Sequence, residues 1–354
     1  MHILDWRRSS ALLLGCSVAA AVGCNRVERE TIDRVTPHDD TVWTSRSDCE
    51  AQVMTREAGS RPPRIGTWNI RYFPDASEGP QSDPDEATDV QWAACAIASL
   101  ETDILVVQEI KNTEAGLAKQ AELIERLNEL TGGDWRFELD QCEPVDVQHP
   151  GFLFDQRRVT GTEFREIPSL NPDPVCSNFV SPGFAGYFAI EGGPDFHLIA
   201  VHSQVGSSQP SLEKRAGIVA ALEAATNDAV AINSDTDVIV AGDFNSVGCE
   251  TCNPVLSNQD EVATLERTIA EFEVPLALLP ASESCTRIAD EMPYVDHVLT
   301  TESMAELPAD SVAHVAGVCE EISCDRQVNW LEDANDRLSD HCPVLVDLTG
   351  TDDD

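Results

Sequence analysis

The chain has 354 residues, of which 42% are apolar and 24% charged, a globular composition that supplies a sizeable core and excludes global disorder. Lys and Arg number 23 against 63 Asp and Glu, and the formal net charge of −40 excludes the basic stripe of a sequence-reading DNA protein. Such acidity leaves three readings: an active face screened locally by divalent cations and a few arginines, a substrate smaller than DNA, or a solvated surface suited to salty surroundings.

In chain order, the first feature is an export signal, with Arg7 and Arg8 ahead of an apolar run over residues 11–23 that is short for a membrane span. Ala21-Val22-Gly23-Cys24 resembles a bacterial lipobox, whose cysteine becomes the acylated N-terminus, although Ala stands where Leu is usual and simple secretion stays open. Leu13-Leu14-Gly15-Cys16 is a poorer box, since little apolar chain precedes it. Residues 1–24 thus read as a signal peptide and 25–60 as a polar tether. Within the tether, Ser47 followed by Glu50 suits a short capped helix. Residues 61–350 form the domain, with an acidic, Pro-containing loop at 76–86 placed to shape a cleft. Helical periodicity appears over residues 88–100, 113–130 and 211–225, and short Val- and Ile-rich strands alternate with it.

Five of those strands end in polar motifs or lead into them: Thr67-Trp68-Asn69, Gln108-Glu109, Val201-His202-Ser203, Gly242-Asp243-Phe244-Asn245 and Ser339-Asp340-His341. Carboxylates, amides and imidazoles therefore gather at strand ends. Oxygen donors of this kind suit a hard cation, Mg2+ first and Mn2+ or Ca2+ as alternatives. A carboxylate such as Glu109 at the end of an apolar run costs several kcal/mol to bury unless a cation or hydrogen bonds compensate.

These motifs, with Gly151-Phe152-Leu153-Phe154-Asp155 and Tyr294-Val295-Asp296-His297 in the same order, resemble the endonuclease/exonuclease/phosphatase superfamily, and within it the deoxyribonuclease I-like enzymes. The resemblance runs from Arg64 to Leu348. It implies a four-layer α/β sandwich of two packed mixed β-sheets flanked by helices, acting as a monomer. It also implies a metal shell of Asn69, Glu109 and Asp340, and a catalytic group of His202, Asp243, Asn245, Asp296 and His341. Asp296 and His341 would form one carboxylate–imidazole unit. Arg71 and Lys111 stand where the relatives hold the nucleic-acid backbone, whereas Ser181-Pro182 replaces a frequent Arg-Pro. Gln148 stands where a glutamate would partner His202; either Asp146 substitutes, or His202 lacks a carboxylate and its pKa falls. His297 points away from Asp296 along a strand and reads as structural.

Twelve cysteines less Cys16 and Cys24 leave ten, an even number that fits disulfides in an oxidising compartment. Cys249-Glu250-Thr251-Cys252 has zinc or redox spacing but reads as a staple, Cys319 and Cys324 could close a small loop, and the resemblance implies that Cys249 or Cys252 bonds Cys285. Together these features point to an exported, lipid-anchored phosphodiesterase, leading with an endonuclease that cleaves DNA by in-line attack of a metal-activated water. The alternative is a phosphatase or a sphingomyelinase-like enzyme acting on lipid head groups or inositol phosphates; a non-catalytic binding protein on the same scaffold is a third class.

Overall fold

The apolar runs ahead of the motifs become the central strands of two six-stranded sheets. The structure, a computed structural model, describes residues 43, 45–55, 61–75, 87–141, 148–170, 183–283, 285–288, 294–308, 310–321, 334 and 336–349. The signal peptide with Cys24, the 76–86 loop, Asp146, Ser181-Pro182 and Cys324 lie outside these residues.

The elements begin with α1 (Arg46–Thr55), β1 (Arg64–Phe73), α2 (Val90–Leu100), β2 (Ile104–Ile110), α3 (Glu114–Thr131), β3 (Trp135–Leu139) and β4 (His149–Asp155). They continue with β5 (Val159–Ile167), β6 (Gly183–Ile190), β7 (Asp195–His202), α4 (Gln209–Asn233), β8 (Val238–Asp243) and α5 (Asn258–Ile269). The last are β9 (Leu276–Leu278), β10 (Asp296–Thr301), β11 (His314–Val315), α6 (Val318–Glu321) and β12 (Val344–Asp347).

One sheet runs β11-β12-β1-β2-β4-β3 and the other β5-β6-β7-β8-β10-β9. Each has one parallel pair at its centre, β1 with β2 and β7 with β8, and antiparallel strands outside it. The parallel pairs need crossover connections, which α2 and α4 supply. Side chains alternate accordingly: in β8, Ile239 and Ala241 face the other sheet, while Val238 and Val240 face Ile218, Leu222 and Leu265 of the outer helices. Between the sheets Phe152 of β4 meets Phe188 of β6 edge-on at 4.9 Å and tilts against Phe184 at 5.5 Å. With α2 and α3 on the first sheet and α4 and α5 on the second, the expected four-layer sandwich is the architecture observed.

Helix ends follow local chemistry. Asp89, Thr113, Ser208 and Ser257 cap α2, α3, α4 and α5 through side-chain oxygens, and Gly132 closes α3 at φ 68°. The helix α4 continues eight residues past the predicted end at 225, with the small residues Ala225, Thr226 and Ala229 buried where no long apolar period marks the sequence.

Two expectations change ahead of the first strand. Ser45, not Ser47, accepts the Asp48 backbone N–H that starts α1, at 3.2 Å. Helix α1 is bonded to α2 through Cys49–Cys95, and Trp43 packs edge-on against Trp68 at 5.8 Å, so this part of the proposed tether is built into the domain. Two disulfide expectations change as well: Cys249 bonds Cys252 rather than Cys285, and Cys319 bonds Cys342 rather than Cys324.

Candidate active site

Both parallel pairs end at the same edge of the sandwich, and register decides which side chains meet there. His202 lies opposite Asp243 across β7 and β8, and Asp296 lies opposite Asp243 across β10 and β8. Gly242, at φ 151°, makes this possible: a Cβ there would sit 1.9 Å from the Val201 carbonyl oxygen. In the first sheet the β1–β2 register shifts after Asn69, and the β2–β4 register shifts after Val107. At these irregularities Glu109 adopts φ 64° and Arg71 φ 24°, left-handed backbone that a regular strand would not allow.

The two sheets join through Asn69. Its Nδ2 donates to Glu109 Oε1 at 2.9 Å and to Asp243 Oδ2 at 3.1 Å, while its Oδ1 accepts the Arg71 N–H at 3.0 Å. Asn245, at φ 50°, donates its backbone N–H to Asp243 Oδ1 at 2.8 Å and its side-chain Nδ2 to Asp243 Oδ2 at 3.1 Å. The Asp243 carboxylate is thus fixed from both sides, and burial raises its pKa.

His341 places Nδ1 on Asp296 Oδ2 at 2.9 Å and Nε2 3.7 Å from Asp243 Oδ2. Burial opposes its protonation, but the carboxylates of Asp296 and Asp243 outweigh burial and raise its pKa to about 10. The site holds it as an imidazolium. His202 is the opposite case: burial lowers its pKa, and its Nδ1 has no hydrogen-bond partner among the described residues. Its Nε2 faces Glu109 Oε1 at 3.6 Å and Asp243 Oδ2 at 3.8 Å. One imidazole is charged and the other neutral, at the same carboxylate.

Glu109 is pushed up to about 7, first by burial and then by the charge of Asp340, although Asn69 and the Tyr72 N–H at 3.0 Å hydrogen-bond it. Acids crowded in this way are what a hard divalent cation relieves, so Glu109 and Asp340 could hold one, whereas Asn69 turns its Nδ2 donor toward Glu109 and keeps its Oδ1 on the Arg71 N–H. Asp243, Asp296 and His341 also bring ligand atoms within 4.8 Å of one another. That trio could hold a cation through these atoms, and with His341 Nδ1 on Asp296 it is equally suited to handling a proton.

The surroundings hold the site rigid. Trp68 Nε1 donates to the His341 carbonyl at 2.8 Å, and Ser339 Oγ bonds the Asn69 carbonyl at 2.6 Å. Arg215, 2% exposed, forks onto Glu261 at 2.6 and 2.9 Å and donates to the carbonyls of Gly206 and Gly248, tying the loops that follow His202 and Asn245. His297 lies behind the site, as expected of a structural residue, with Nε2 on Ser246 Oγ at 2.8 Å and a pKa lowered to about 3 by burial.

Of the two expected cations, Arg71 lines the cleft and Lys111 does not. Lys111 is 1% exposed, with Nζ on Asp75 at 2.6 Å, because its own N–H pairs with the Phe73 carbonyl and turns the side chain inward. Arg287 lines the cleft instead, beside Glu109, Gln148, Asp243 and His341, and reaches Asp340 at 3.3 Å. No apolar run or motif marks Cys285-Thr286-Arg287-Ile288. Its backbone nevertheless pairs with the Asp340–Cys342 segment, through Ile288 N to Asp340 O and Cys342 N to Thr286 O, both 2.7 Å. Thr286 Oγ1 also accepts the N–H of Asp296 at 3.1 Å, so one segment braces both halves of the Asp296–His341 pair.

No curated protein matches the chain by sequence. Solved structures do. An endonuclease/exonuclease/phosphatase from Bacteroides vulgatus superimposes with a TM-score of 0.53 at 14% identity, covering 82% of this chain and 99% of that one. A mannosyl-6-phosphatase from Bacteroides thetaiotaomicron gives 0.51 at 16%, covering 81% and 99%. TDP2 of D. rerio, complexed with a single-strand DNA product, gives 0.51 at 13%, covering 82% and 100%. At such identities the likeness is one of fold. The profile of the Endonuclease/Exonuclease/phosphatase family, however, matches residues 66–341, the span that holds every residue of this cleft, and the chain belongs to that family.

Proposed function

We propose that the protein is a divalent-cation-dependent phosphodiesterase, with DNA as its leading substrate. The observation that carries this reading is the division of one cleft into the crowded acids Glu109 and Asp340, the first pushed up to about 7, and the imidazolium of His341 on Asp296. When bound, a divalent cation neutralises the acids and polarises a phosphoryl oxygen. Asp243, held by Asn69 and Asn245, orients the attacking water and takes its proton. His341 stabilises the charge that develops on phosphoryl oxygen and gives its proton to the oxygen that leaves as the old P–O bond breaks, and neutral His202 hydrogen-bonds the phosphoryl group from the other side.

The smaller-substrate reading keeps a specific support. Among the described residues, the arginines lining the cleft are Arg71 and Arg287, which with the His341 imidazolium are a thin hold on a polyanion for a protein of net charge −40. Purified protein assayed on plasmid DNA, sphingomyelin and an inositol phosphate, with and without Mg2+ and Ca2+, separates the two. Plasmid nicking that requires Mg2+ supports the nuclease; intact plasmid with turnover of sphingomyelin or the inositol phosphate replaces it with the alternative. The proposal includes export with acylation at Cys24, which the disulfides Cys49–Cys95, Cys249–Cys252 and Cys319–Cys342 support, since such bonds persist in oxidising compartments.

A further inference from the structure

We propose that Arg287 is a phosphate-binding residue held in reserve on Asp340 and released to substrate when a divalent cation takes over that carboxylate. The inference rests on the phosphodiesterase reading and deepens it by ordering the cation before the substrate. Its first support is place: Arg287 lines the cleft, and its side chain keeps 29% exposure.

Geometry is the second. Nε and one terminal nitrogen both reach the same oxygen, Asp340 Oδ2, at 3.3 and 3.4 Å, so the guanidinium is not matched one N–H to each carboxylate oxygen. Arg215 shows what a permanent pair looks like in this protein, with separate contacts of 2.6 and 2.9 Å to the two oxygens of Glu261. The Arg287 contact is long and single-sided. Its backbone, in contrast, is held by an isolated bridge to His341 flanked by two hydrogen bonds of 2.7 Å, so the guanidinium turns about a fixed anchor.

Charge is the third support. Without a cation, Arg287 is the positive side chain in contact with Asp340, alongside the nearby His341 imidazolium, and it stands in for the ion. Once Asp340 coordinates a cation, its pull on the guanidinium falls, and the five N–H donors are available to phosphoryl oxygens, for which a planar fork is better suited than an ammonium.

Calorimetry of Mg2+ alone, then of inorganic phosphate at saturating Mg2+, tests the inference on wild type, Arg287→Met and Arg287→Lys, with thermal melts to establish folding. Arg287→Met is expected to bind Mg2+ severalfold more tightly, a competitor having been removed, and to bind phosphate about tenfold more weakly, the scale of one charge-assisted contact. Arg287→Lys, which keeps the charge should the Met variant fail to fold, is expected to hold Mg2+ as wild type does and phosphate more weakly. Loss of Mg2+ affinity in Arg287→Met, or wild-type phosphate affinity in either folded variant, overturns the inference. A wild type that binds no Mg2+ overturns the functional reading and the inference together, whereas Mg2+ binding with phosphate affinity unchanged by substitution overturns this inference alone.

Discussion

Asp296 holds His341 by Nδ1 at 2.9 Å while standing opposite Asp243 in the β8–β10 register, so a single strand pairing sets both the charge and the direction of the imidazole. The two residues should behave as one unit. Asp296→Asn, His341→Ala and the double variant are each expected to lose about a hundredfold or more of activity, without the losses multiplying. The pH profile gives the sign. His341 is raised to about 10, so its contribution to stability is complete below the ordinary histidine value of 6.5 and is lost as pH rises through 10. In wild type the alkaline limb of activity lies well above neutrality; in Asp296→Asn it moves down toward the ordinary histidine range. Multiplicative losses with an unmoved limb would show that the two act separately.

Glu109 makes cation binding pH-dependent. Its carboxyl is raised from 4.5 to about 7 by burial and by Asp340, so the folded protein holds this proton more tightly than the unfolded chain between those values. Cation-free stability from this group therefore falls as pH rises from 4.5 to 7, and Mg2+ restores it by replacing the proton. The rise in Tm on adding Mg2+ is expected to be larger at pH 8 than at pH 5, and Glu109→Gln should shrink it at both. His297, lowered to about 3, loses stability as pH falls below 6.5 with or without Mg2+, so it cancels from the difference. Mg2+ shifts that are equal at both pH values would remove Glu109 from the cation site.

Lys111 is expected to matter to folding and not to substrate. It is 1% exposed, and its ammonium lies on Asp75 at 2.6 Å, so Lys111→Met leaves a partly buried carboxylate unpaired and should cost about 2–3 kcal/mol. Its KM should stay close to wild type. Arg71 should behave in the opposite way, because its guanidinium lines the cleft and, among the described residues, holds the Asp336 carbonyl at 3.0 Å. Arg71→Ala should leave Tm nearly unchanged and raise KM for DNA. Thermal melts and steady-state kinetics on both variants decide it, and a raised KM in Lys111→Met with an unchanged Tm would return that lysine to the cleft.

The contrast between these two cations shows where the sequence stops being legible. Strand-end residues such as Asn69, Glu109, His202 and Asp243 could be read because apolar runs mark the strands and a side chain at a strand end lies at the sandwich edge. Lys111 also follows a strand, but the irregular register beyond Val107 turns it inward, and no local pattern announces a bulge. Arg287 sits in a four-residue segment that makes an isolated bridge, too short for periodicity, and its importance comes from Asp340, 53 residues away. Disulfide partners such as Cys319 and Cys342 are likewise set by the fold, since cysteine spacing limits pairings without choosing among them.

Substrate class is the sharpest prediction, because composition and site pull against each other. The cleft has Asn69, Glu109, His202, Asp243, Asn245, Asp340 and His341 within one set of contacts, which suits attack on a phosphodiester of any size. The net charge of −40 and the burial of Lys111 oppose a polyanion. Divalent cations offset charge where the phosphate sits, and cleavage needs only transient binding, so Mg2+-dependent nicking of double-stranded DNA with weak sequence preference is expected. With Arg71, Arg287 and the His341 imidazolium lining the cleft, about two or three phosphates are neutralised, and the logarithm of DNA affinity should fall with the logarithm of salt at a slope between about −1.8 and −2.7, roughly 0.9 per contact. Arg71→Ala and Arg287→Met should each reduce that slope by about one contact while altering hydrolysis of a small diester less than DNA cleavage. A slope several times steeper would mean that basic groups outside this cleft hold the DNA, and an intact plasmid beside hydrolysed sphingomyelin or inositol phosphate would move the enzyme to the lipid-side alternative.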